Sequence, residues 1–510
     1  MCNIHLRDIS YSHYDRAQMK KVASGISPVI AIDKRRRESL YRQVYEGYRQ
    51  AIVDGNLAPG QRVPSTRVAA LELGISRIPV LEAYAQLLAE GYFESRVGSG
   101  TVVSRSLPGR AFPLPPSNPP AAGAGRARPV ANRCSVLPGG GDLYRPRGRG
   151  AFAVGQVAFD HFPFQVWNRL VTRHCRGMRA RDLDYGDAMG LPDLREVIAG
   201  HLRTARGLHC QAEQILVVSG SQQGLELVAR ALLDVGDRVW MEEPGYSFAR
   251  SVFVSTGCRI VPVPVDSEGL DVSSGIRRCR RARAAVVTPS HQYPLGPTMS
   301  ASRRMQLLDW AARNGSWIVE DDYDSEHRYE GLPATSLQGM DRHSRVVYVG
   351  TFSKVLFPSL RLGYAVAPPD MVERFRAVRL AMDICPPTLL QNVLADFIRE
   401  GHFSRHIRRM RTLYAERRSV LTGNLRQELG PAAELSGGQA GMHLAIVMNG
   451  IDDRAAADRA EKLRLWITPL SPAYHRAEAA RTGFILGFGS TPVHEIPDAV
   501  RKLRAVLHGK

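Results

Sequence analysis

The chain has 510 residues, a formal net charge of +19 and 44% hydrophobic residues, so it is long enough for two or three domains with a large core. No apolar run approaches the ~18 residues of a membrane span, and residues 1–8 lack the apolar stretch of a signal peptide, so we expect a cytoplasmic protein without a membrane partner. Seven cysteines stand singly without CxxC spacing, which argues against a disulfide framework and predicts no metal site.

Positive charge is concentrated in the first 150 residues, which hold 22 Lys and Arg against 11 Asp and Glu. Such an excess favours a polyanion partner, although a solvated basic face in an Arg-rich protein accounts for it equally well. Residues 1–32 show no clear period and are predicted to form a mobile arm. Residues 106–150 are rich in Pro, Gly, Ala and Arg, which predicts an extended linker.

Residues 33–105 have the pattern of a compact module with three helical stretches and two short strands. Ser65 is the predicted N-cap of one helix, and Gly74 ends that helix before Ser76 caps the next one. The expected apolar positions are Leu71 and Leu73 on the first of these helices and Leu81, Tyr84, Leu87 and Leu88 on the second. A helix, a tight glycine turn and a second helix form a helix-turn-helix, whose second helix enters the major groove of DNA with its N-terminus first.

This arrangement assigns DNA contacts to particular side chains. Arg77 projects from the recognition helix toward the bases, while Ser65 and Thr66 offer hydroxyls and amides to phosphate. Residues 92–103 predict two strands joined by a turn of small residues, and the glycines of this wing allow the backbone to approach DNA closely.

Three motifs resemble the winged helix of GntR-type regulators, over residues 39–104: Pro64-Ser65-Thr66-Arg67, Leu73-Gly74-Ile75-Ser76-Arg77 and Gly98-Ser99-Gly100-Thr101. The resemblance implies that Arg67 and Arg77 read bases and that the wing glycines touch the DNA backbone. The predicted DNA-binding residues are therefore Ser65, Thr66, Arg67, Ser76, Arg77, Gly98, Ser99 and Gly100. Pro79 departs from the pattern, because the family usually has a phosphate-binding threonine there. An ordinary three-helix packing module is the alternative interpretation.

After residue 151, short apolar runs alternate with helical segments, which indicates an α/β domain with a mostly parallel sheet. The predicted strands are Ile215–Val218, Arg238–Met241, Ala284–Val287, Trp317–Val319 and Val346–Val349. Ligands of such sheets bind outside the carboxyl ends of the strands, so the polar residues that follow these runs are the candidates for a site.

Two of these strand ends carry a lysine and a carboxylate. Lys354 follows the run Val346–Val349, and Asp321 lies 33 residues upstream of it, after Trp317–Val319. An amine that can form a Schiff base and a carboxylate that can pair with a pyridine nitrogen are what a pyridoxal 5′-phosphate site requires. Asp321 is preferred to Asp322 because alternation along a strand places the two side chains on opposite faces.

Other strand ends supply candidates for the phosphate and the ring. The turn Ser219-Gly220-Ser221-Gln222 begins a helix, whose free amides suit an anion. Arg361, seven residues beyond Lys354, is predicted to return a guanidinium to a phosphate held by Ser221. Tyr246 follows another strand, where an aromatic ring either stacks on a flat cofactor or packs in the core.

The order of these pieces resembles the fold type I aminotransferases over residues 151–508, and is most similar to the branch of α-aminoadipate and kynurenine aminotransferases. The resemblance implies that Lys354, as the catalytic residue, carries the cofactor, that Asp321 pairs with its ring nitrogen and that Tyr323 bonds its phenolic oxygen. It also assigns the phosphate to Ser221, Gln222, Ser353 and Arg361, the ring face to Tyr246, and the phosphate of a neighbouring subunit to Tyr185. A homodimer is therefore expected.

The pattern departs from these enzymes where a substrate carboxylate would bind. Ile485 stands where they place an arginine that clamps the α-carboxylate, and Arg481 replaces it only in a different register. Loss of that charge-assisted fork removes roughly 1.5–3 kcal/mol, so we expect cofactor chemistry with little amino-acid turnover. Tyr293 replaces the usual asparagine, and Phe248 lies near the position of a carboxylate-binding arginine in a GABA-responsive member. His443 either lines the site or packs as an ordinary core residue.

A winged helix joined by a long linker to an aminotransferase-like domain, residues 151–510, is the layout of the MocR subfamily of GntR regulators, which includes GabR- and PdxR-like proteins. The fold is then α/β, a pyridoxal phosphate-dependent transferase of fold type I, with an N-terminal winged helix-turn-helix. The resemblance implies a regulator that binds a DNA operator with two half-sites and senses pyridoxal phosphate, an amine or an amino acid. The alternatives are an active aminotransferase with an appended DNA-binding domain and a plain repressor whose C-terminal domain only dimerises.

Overall fold

The computed structural model describes residues 28, 30–96, 100–106, 131, 137, 150–329 and 335–508. The chain divides into two units, Met1–Arg128 and Pro129–Lys510. The predicted arm over residues 1–32 and the predicted linker over residues 106–150 lie almost entirely outside the described residues, so their boundaries stay predictions. Within the described ranges, no helix combines the length and the hydropathy that crossing a bilayer requires.

The first unit begins with the helices α1 (Leu40–Val53), α2 (Thr66–Glu72) and α3 (Arg77–Ala89). An antiparallel pair of strands follows, β1 (Phe93–Arg96) and β2 (Gly100–Val103). Ser65 caps α2, because its hydroxyl accepts a hydrogen bond from the amide of Val68 at 3.3 Å. Ser76 occupies the N-cap position of α3 without a capping side-chain bond. The predicted winged helix-turn-helix is therefore confirmed.

Aromatic rings form the centre of this unit. The ring centroids of Tyr48, Tyr84 and Phe93 lie 5.1–5.7 Å apart in edge-to-face contacts. The hydroxyl of Tyr84 donates to the carbonyl of Pro64 at 3.1 Å, which ties α3 to the segment that enters α2. The aromatic cluster thus joins α1, α3 and β1, and the hydroxyl of Tyr84 links α3 to the entry of α2.

The predicted apolar positions of α2 and α3 are partly wrong. Leu71 is 85% exposed, and Leu81 and Leu88 also face solvent. The residues that the two helices bury are Ala69, Ala70, Val80, Ala83, Tyr84 and Leu87. The seven-residue helix α2 buries Ala69 and Ala70, while the predicted Leu73 at its C-cap is partly buried against the same core. On α3, the exposed leucines lie beside the buried stripe and not within it.

The second unit is built around an eight-stranded sheet. Its strands are β3 (Ile215–Val218), β4 (Arg238–Glu243), β5 (Arg259–Asp266), β6 (Gly269–Leu270), β7 (Ala284–Val287), β8 (Trp317–Asp322), β9 (Val346–Thr351) and β10 (Gly363–Val366). The order in space is β3-β10-β9-β8-β7-β4-β5-β6. All of these strands except β6 and β10 run in one direction, which confirms the mostly parallel sheet. Each of the five predicted strands is present.

Helices cover both faces of this sheet. They are α4 (Phe164–Gly177), α5 (Pro192–Arg206), α6 (Ser221–Leu232), α7 (Ser247–Ser255), α8 (Val272–Cys279), α9 (Ala301–Asn314), α10 (Leu337–Met340), α11 (Val372–Asp383), α12 (Leu389–Arg399) and α13 (His402–Leu429). Alternate residues of β3 show the layers. Ile215 and Val217 share a core with α4, α5 and α12, whereas Leu216 shares another with α6, α7 and α11.

A second, antiparallel sheet lies toward the C-terminus, and the sequence analysis did not separate it from the first. Its strands are β11 (Glu434–Gly437), β12 (His443–Val447), β13 (Thr468–Pro469) and β14 (Gly483–Gly487), in the order β11-β12-β14-β13. The helices α14 (Asp453–Lys462) and α15 (Ile496–Leu507) accompany it. Leu444, Ile446 and Phe484 pack with residues of α13 and α15, so this sheet has a core of its own.

Candidate functional site

A cavity of about 540 Å³ lies at the carboxyl ends of the parallel strands of the second unit. Eight of the nine predicted cofactor-binding residues line it: Lys354, Asp321, Tyr323, Ser221, Gln222, Tyr246, Ser353 and Arg361. These residues end or follow strands that run in the same direction, so the sheet delivers them to one edge. The ninth residue, Tyr185, is 77% exposed and lies outside this lining, and its reach into a partner subunit stays a prediction.

Lys354 lies in a turn directly after β9. The amides of Val355 and Leu356 both donate to the carbonyl of Phe352, and all three of these residues are buried. The turn is thereby anchored in the core while the lysine side chain faces the cavity, where Nζ donates to the carbonyl of Gly155 at 3.3 Å. Gly155 has φ +79°, and a Cβ there would lie 2.4 Å from Nζ, so a larger residue would displace the amine.

Asp321 presents an unpartnered carboxylate oxygen to the same cavity. The side chain lies near the end of β8 and is only 4% exposed. Its Oδ1 is buried and has no hydrogen-bond partner among the described residues. Burial, followed by the charges of Asp322 and Glu242, raises the pKa of Asp321 to about 7. A buried carboxylate without a donor is complementary to a protonated ring nitrogen, so this residue fits the predicted cofactor.

Asp322, the next residue, points away from the cavity. Its Oδ2 accepts from Nε and Nη2 of Arg206 at 3.0 and 2.7 Å, from the hydroxyl of Ser325 at 2.7 Å and from the hydroxyl of Tyr348. The two neighbouring carboxylates therefore lie on opposite faces of β8, as the alternation along the strand predicts. Asp322 has a structural role, because it compensates the buried charge of Arg206.

An anion cradle forms where β3 passes into α6. Ser221 is the first residue of α6, and its amide and hydroxyl stand at the positive end of the helix dipole. Arg361 follows a short 3₁₀ turn and donates to the carbonyl of Ser219, so its guanidinium lies beside the start of α6. Ser353 Oγ and Gln222 Oε1 are buried without a hydrogen-bond partner in the described structure. The amide and hydroxyl of Ser221, the hydroxyl of Ser353 and the guanidinium of Arg361 can donate to the phosphate of the cofactor, whereas Gln222 Oε1 is an acceptor.

Aromatic side chains surround the space between the lysine and the cradle. Tyr246 is half-buried, and its ring contacts Tyr293 and Phe248 at centroid distances of 5.4 and 5.6 Å. All three line the cavity. The hydroxyl of Tyr323 donates to the backbone carbonyl of His291 at 3.0 Å. The predicted bond from Tyr323 to the phenolic oxygen of the cofactor stays a prediction.

A buried group of two histidines and a carboxylate adjoins these residues, and of its members only His443 is a candidate from the sequence. His291 Nδ1 lies 3.0 Å from Asp324 Oδ2, and the ring of His443 lies 4.7 Å from that of His291. Of the two interpretations of His443, the structure favours the first, because this residue lines the cavity. Burial, and then the charges of His291 and Lys354, hold the pKa of His443 well below its usual range. His291 follows β7 and was detectable as a strand-end residue, whereas nothing in the sequence placed β12 beside the cavity.

The position of the missing carboxylate clamp is apolar. Ile485 lies in β14, is 1% exposed and belongs to an apolar cluster directly behind the lining, since Val154 and Tyr293 of the lining pack against that cluster. Arg481 does not replace the clamp, because its Nη2 is ion-paired with Glu434 Oε2 at 2.5 Å. Within the part of the chain that the structure describes, Lys354 and Arg361 are the lysine and arginine residues of the lining.

The predicted DNA-binding residues lie at the N-terminal ends of α2 and α3. Ser65, Arg67, Ser76 and Arg77 are exposed, and Thr66 is half-exposed. Arg77 Nε donates to Thr66 Oγ1 at 3.1 Å, so the two helix starts are adjacent.

The wing is described only in part. Gly98 and Ser99 lie outside the described residues, while Gly100 begins β2 with φ +80°. A Cβ on Gly100 would lie 3.2 Å from Nη2 of Arg62, an exposed cation that the sequence analysis did not single out. The motif Pro64-Ser65-Thr66-Arg67 begins two residues after Arg62, but no motif includes Arg62 itself.

Comparison with known proteins assigns a family to each unit. The model of aminotransferases of class I and II matches residues 151–481, and that of bacterial regulatory proteins of the gntR family matches residues 40–103. The probable rhizopine catabolism regulatory protein MocR of Rhizobium meliloti is 38% identical over 489 residues, which cover 94% of this chain and 96% of that protein. The pyridoxine biosynthesis transcriptional regulator PdxR of Corynebacterium glutamicum is 32% identical, with 90% and 94% covered.

The second unit also resembles solved aminotransferases. The kynurenine aminotransferase of Pyrococcus horikoshii, solved in complex with PMP, superposes with a TM-score of 0.68 at 25% identity, covering 74% of this chain and 97% of that protein. Pyridoxal 5′-phosphate is the cofactor of aminotransferases of class I and II, and the unpartnered atoms of Asp321 and Ser353 fit its ring nitrogen and its phosphate. The chain joins a DNA-binding regulator unit to an aminotransferase unit, and it belongs to the MocR subfamily of GntR-type transcription regulators.

Proposed function

We propose that this protein is a transcription regulator whose DNA binding depends on pyridoxal phosphate. Its aminotransferase-like unit senses pyridoxal phosphate itself, or an amine or amino acid that reacts with the bound cofactor. Occupancy of the cavity changes the way in which paired winged helices hold an operator with two half-sites. Such a regulator works in the cytoplasm, where its DNA is accessible.

The observation that carries this proposal is a cofactor cavity in the same chain as a DNA-binding unit. When bound, pyridoxal phosphate supplies an aldehyde carbon that reacts with amines and a ring that withdraws electrons. Lys354 provides the amine for covalent attachment, and Asp321 holds a proton on the ring nitrogen. Ser221 and Arg361 orient the group through its phosphate, and Tyr246 covers one face of the ring.

Sensing is favoured over turnover by the composition of the cavity. An aminotransferase must orient the α-carboxylate of its substrate, and a charge-assisted fork is the usual means. Ile485 is buried in an apolar cluster, and Arg481 is engaged with Glu434, so neither residue holds such a carboxylate. We infer that amino acids are transaminated poorly, and an active aminotransferase with a DNA-binding appendage is the second candidate.

A homodimer is part of the proposal. Tyr185 is exposed and stands outside the lining of its own cavity, as expected for a side chain that reaches the phosphate of a partner subunit. Two copies of the winged helix would then bind two half-sites of one operator. This dimer provides the two arrangements between which a ligand can shift the equilibrium.

The test is operator binding by full-length protein with and without pyridoxal phosphate. Fragments that the cofactor-loaded protein selects from genomic DNA serve as operators, and fluorescence anisotropy gives the affinity. We expect the cofactor to change the affinity of the wild-type protein by about 5- to 150-fold, the usual range of allosteric coupling. Lys354→Ala should remove most of that change.

Lys502→Ala is the matched control, because Lys502 lies on α15 and pairs with Asp498 at the surface. It should respond to the cofactor like the wild type. Identical affinities and footprints for the wild type and Lys354→Ala, with and without cofactor, would overturn the proposal. Rapid, multiple turnovers with common amino acids would instead select the enzyme.

A further inference from the structure

The cavity has an outer part that the cofactor-binding residues do not account for. Its walls include Val154, Phe159, Phe248, Tyr293 and Met442. These side chains are aromatic or aliphatic, with one phenol hydroxyl among them. The same lining also carries uncharged polar side chains, among them Gln156, Ser359 and Thr468, so a ligand that enters beside the cofactor meets an uncharged wall with a large apolar share.

Positive charge is scarce in this outer part. Lys354 and Arg361 are the cationic side chains of the described lining, and both are directed at the cofactor. The amine is the attachment point, and the guanidinium lies beside the start of α6, where the phosphate cradle is. Neither is left to pair with an anionic group of a second ligand.

The remaining ionisable groups of the lining are neutral or negative. His443 is buried, and its depressed pKa keeps the ring uncharged at pH 7. Its Nε2 has no hydrogen-bond partner in the described structure, so the ring offers a neutral acceptor. The carboxylate of Asp324 also faces the cavity, whereas that of Asp321 is taken by the ring nitrogen of the cofactor. A carboxylate brought in by a ligand would lose its hydration and gain a like charge as a neighbour.

Building on the proposed function, we propose that the effector is a primary amine without a carboxylate, carrying an aromatic or branched aliphatic body. Its nitrogen is placed by His443 Nε2 and reacts at the carbon that Lys354 holds, while its body packs against Phe248 and Tyr293. In the exchange, a carbon–nitrogen double bond to the effector forms as the one to Nζ breaks. Both protons of the neutral amine end on Nζ, so no oxidant or reductant is needed.

Matched pairs of ligands test this inference. Full-length protein is loaded with pyridoxal phosphate, freed of excess cofactor and titrated with 2-phenylethylamine or L-phenylalanine, and with isobutylamine or L-valine. The members of each pair differ only by the carboxylate. Calorimetry gives the affinity, and the visible absorbance of the bound cofactor reports the exchange at Lys354.

We expect each amine to bind at least about tenfold more tightly than its amino acid, since the carboxylate lacks a charge-assisted partner. Equal or tighter binding of the amino acids overturns the inference. The inference is also overturned if neither amine changes the absorbance of the loaded protein. This holds even if added pyridoxal phosphate changes its operator binding.

A substitution that adds a positive charge to the lining tests whether the missing cation causes the preference for amines. Phe248 lines the cavity, and the hydrogen bond that it receives from Gln222 involves its backbone carbonyl, so the side chain can be changed without removing that bond. Phe248→Arg should improve the binding of the amino acids by about tenfold or more, whereas the neutral Phe248→Met should not. An unchanged preference in Phe248→Arg overturns the assignment of selectivity to the missing cation. Operator binding that ignores the cofactor would overturn the proposed function and leave this ranking of ligands intact.

Discussion

Two neighbouring aspartates on β8 show how much the surroundings of a residue decide its role. Asp322 is held by Arg206 and Ser325, whereas Asp321 has a buried oxygen without a donor. A carboxylate in that situation is costly in the cofactor-free protein, and its pKa of about 7 reflects the cost. Under the proposed function, the ring nitrogen of the cofactor would supply the missing partner.

Replacing Asp321 by asparagine should stabilise the cofactor-free protein at alkaline pH. The folded pKa of about 7 exceeds the unfolded value of 3.8, so the contribution of this carboxyl to stability is lost as the pH rises through 7. Asparagine does not ionise, so the free energy of unfolding of Asp321→Asn should exceed that of the wild type by up to about 4 kcal/mol at pH 8. This difference should fall toward zero near pH 4. Urea unfolding at several pH values measures the difference.

Asp322→Asn is the control for that experiment. It leaves the buried Arg206 with a neutral partner, so we expect the free energy of unfolding to fall by about 3–5 kcal/mol at neutral pH. If Asp321→Asn instead destabilised the cofactor-free protein at pH 8, the carboxylate would have a partner that the structure does not show.

Gly155 controls the position of the reactive amine. In Gly155→Ala, the new methyl group would lie 2.4 Å from the present position of Lys354 Nζ, at a backbone φ of +79° that favours glycine. We expect at least a tenfold lower yield of borohydride-trapped cofactor, because the amine must move away from its site. Gly200→Ala on α5 is the matched control, since no atom lies within 4 Å of its Cβ position. Equal trapping by the two variants would contradict the assignment.

At the scale of elements, the predictable part of the site is the part built from strand ends. An apolar run followed by polar residues marks the end of a parallel strand, and Lys354, Asp321 and Ser221 were located in this way. The part of the cavity wall that the small sheet contributes was not predictable from strand ends. His443 begins β12 of the small antiparallel sheet and Met442 directly precedes it, and the short strands of that sheet carry no such signal.

In the helix-turn-helix, the sequence predicts where the helices lie better than which of their residues are buried. The positions of α2 and α3 follow from their caps and from the turn at Gly74, but Leu71 and Leu81 are exposed. Adjacent residues of a helix are separated by only about 100° around its axis. Hydrophobicity alone therefore does not tell a residue inside the buried stripe from one beside it. Packing against α1 decides which residues are covered.

Arg77→Ala tests the recognition helix. Arg77 is exposed at the first position of α3, so its loss should cost ~1–3 kcal/mol of operator affinity and relax the preference for one base pair. Binding to a panel of single-base operator variants measures both effects. Arg42→Ala on α1 should leave the base preference unchanged. Uniform weakening on all sequences would mean that Arg77 contacts phosphate and not bases.

At the scale of the whole molecule, the charge of +19 predicts a strong dependence of DNA binding on salt. Two winged helices on two half-sites should displace several counterions, so the slope of log K against log salt concentration should be steeper than about −4. Anisotropy titrations between about 50 and 200 mM salt measure this slope. A slope near zero would contradict operator binding through phosphate contacts.

The cavity draws its walls from two separate sheets. Asp321 lies on β8 of the large sheet and Lys354 follows β9, while His443 begins β12 of the small sheet and Met442 precedes it. A ligand bound in the cavity contacts both sheets, so the two sheets can separate only after the ligand has dissociated. An occupied cavity should therefore make the second unit more rigid, because one small molecule then holds the large and the small sheet together.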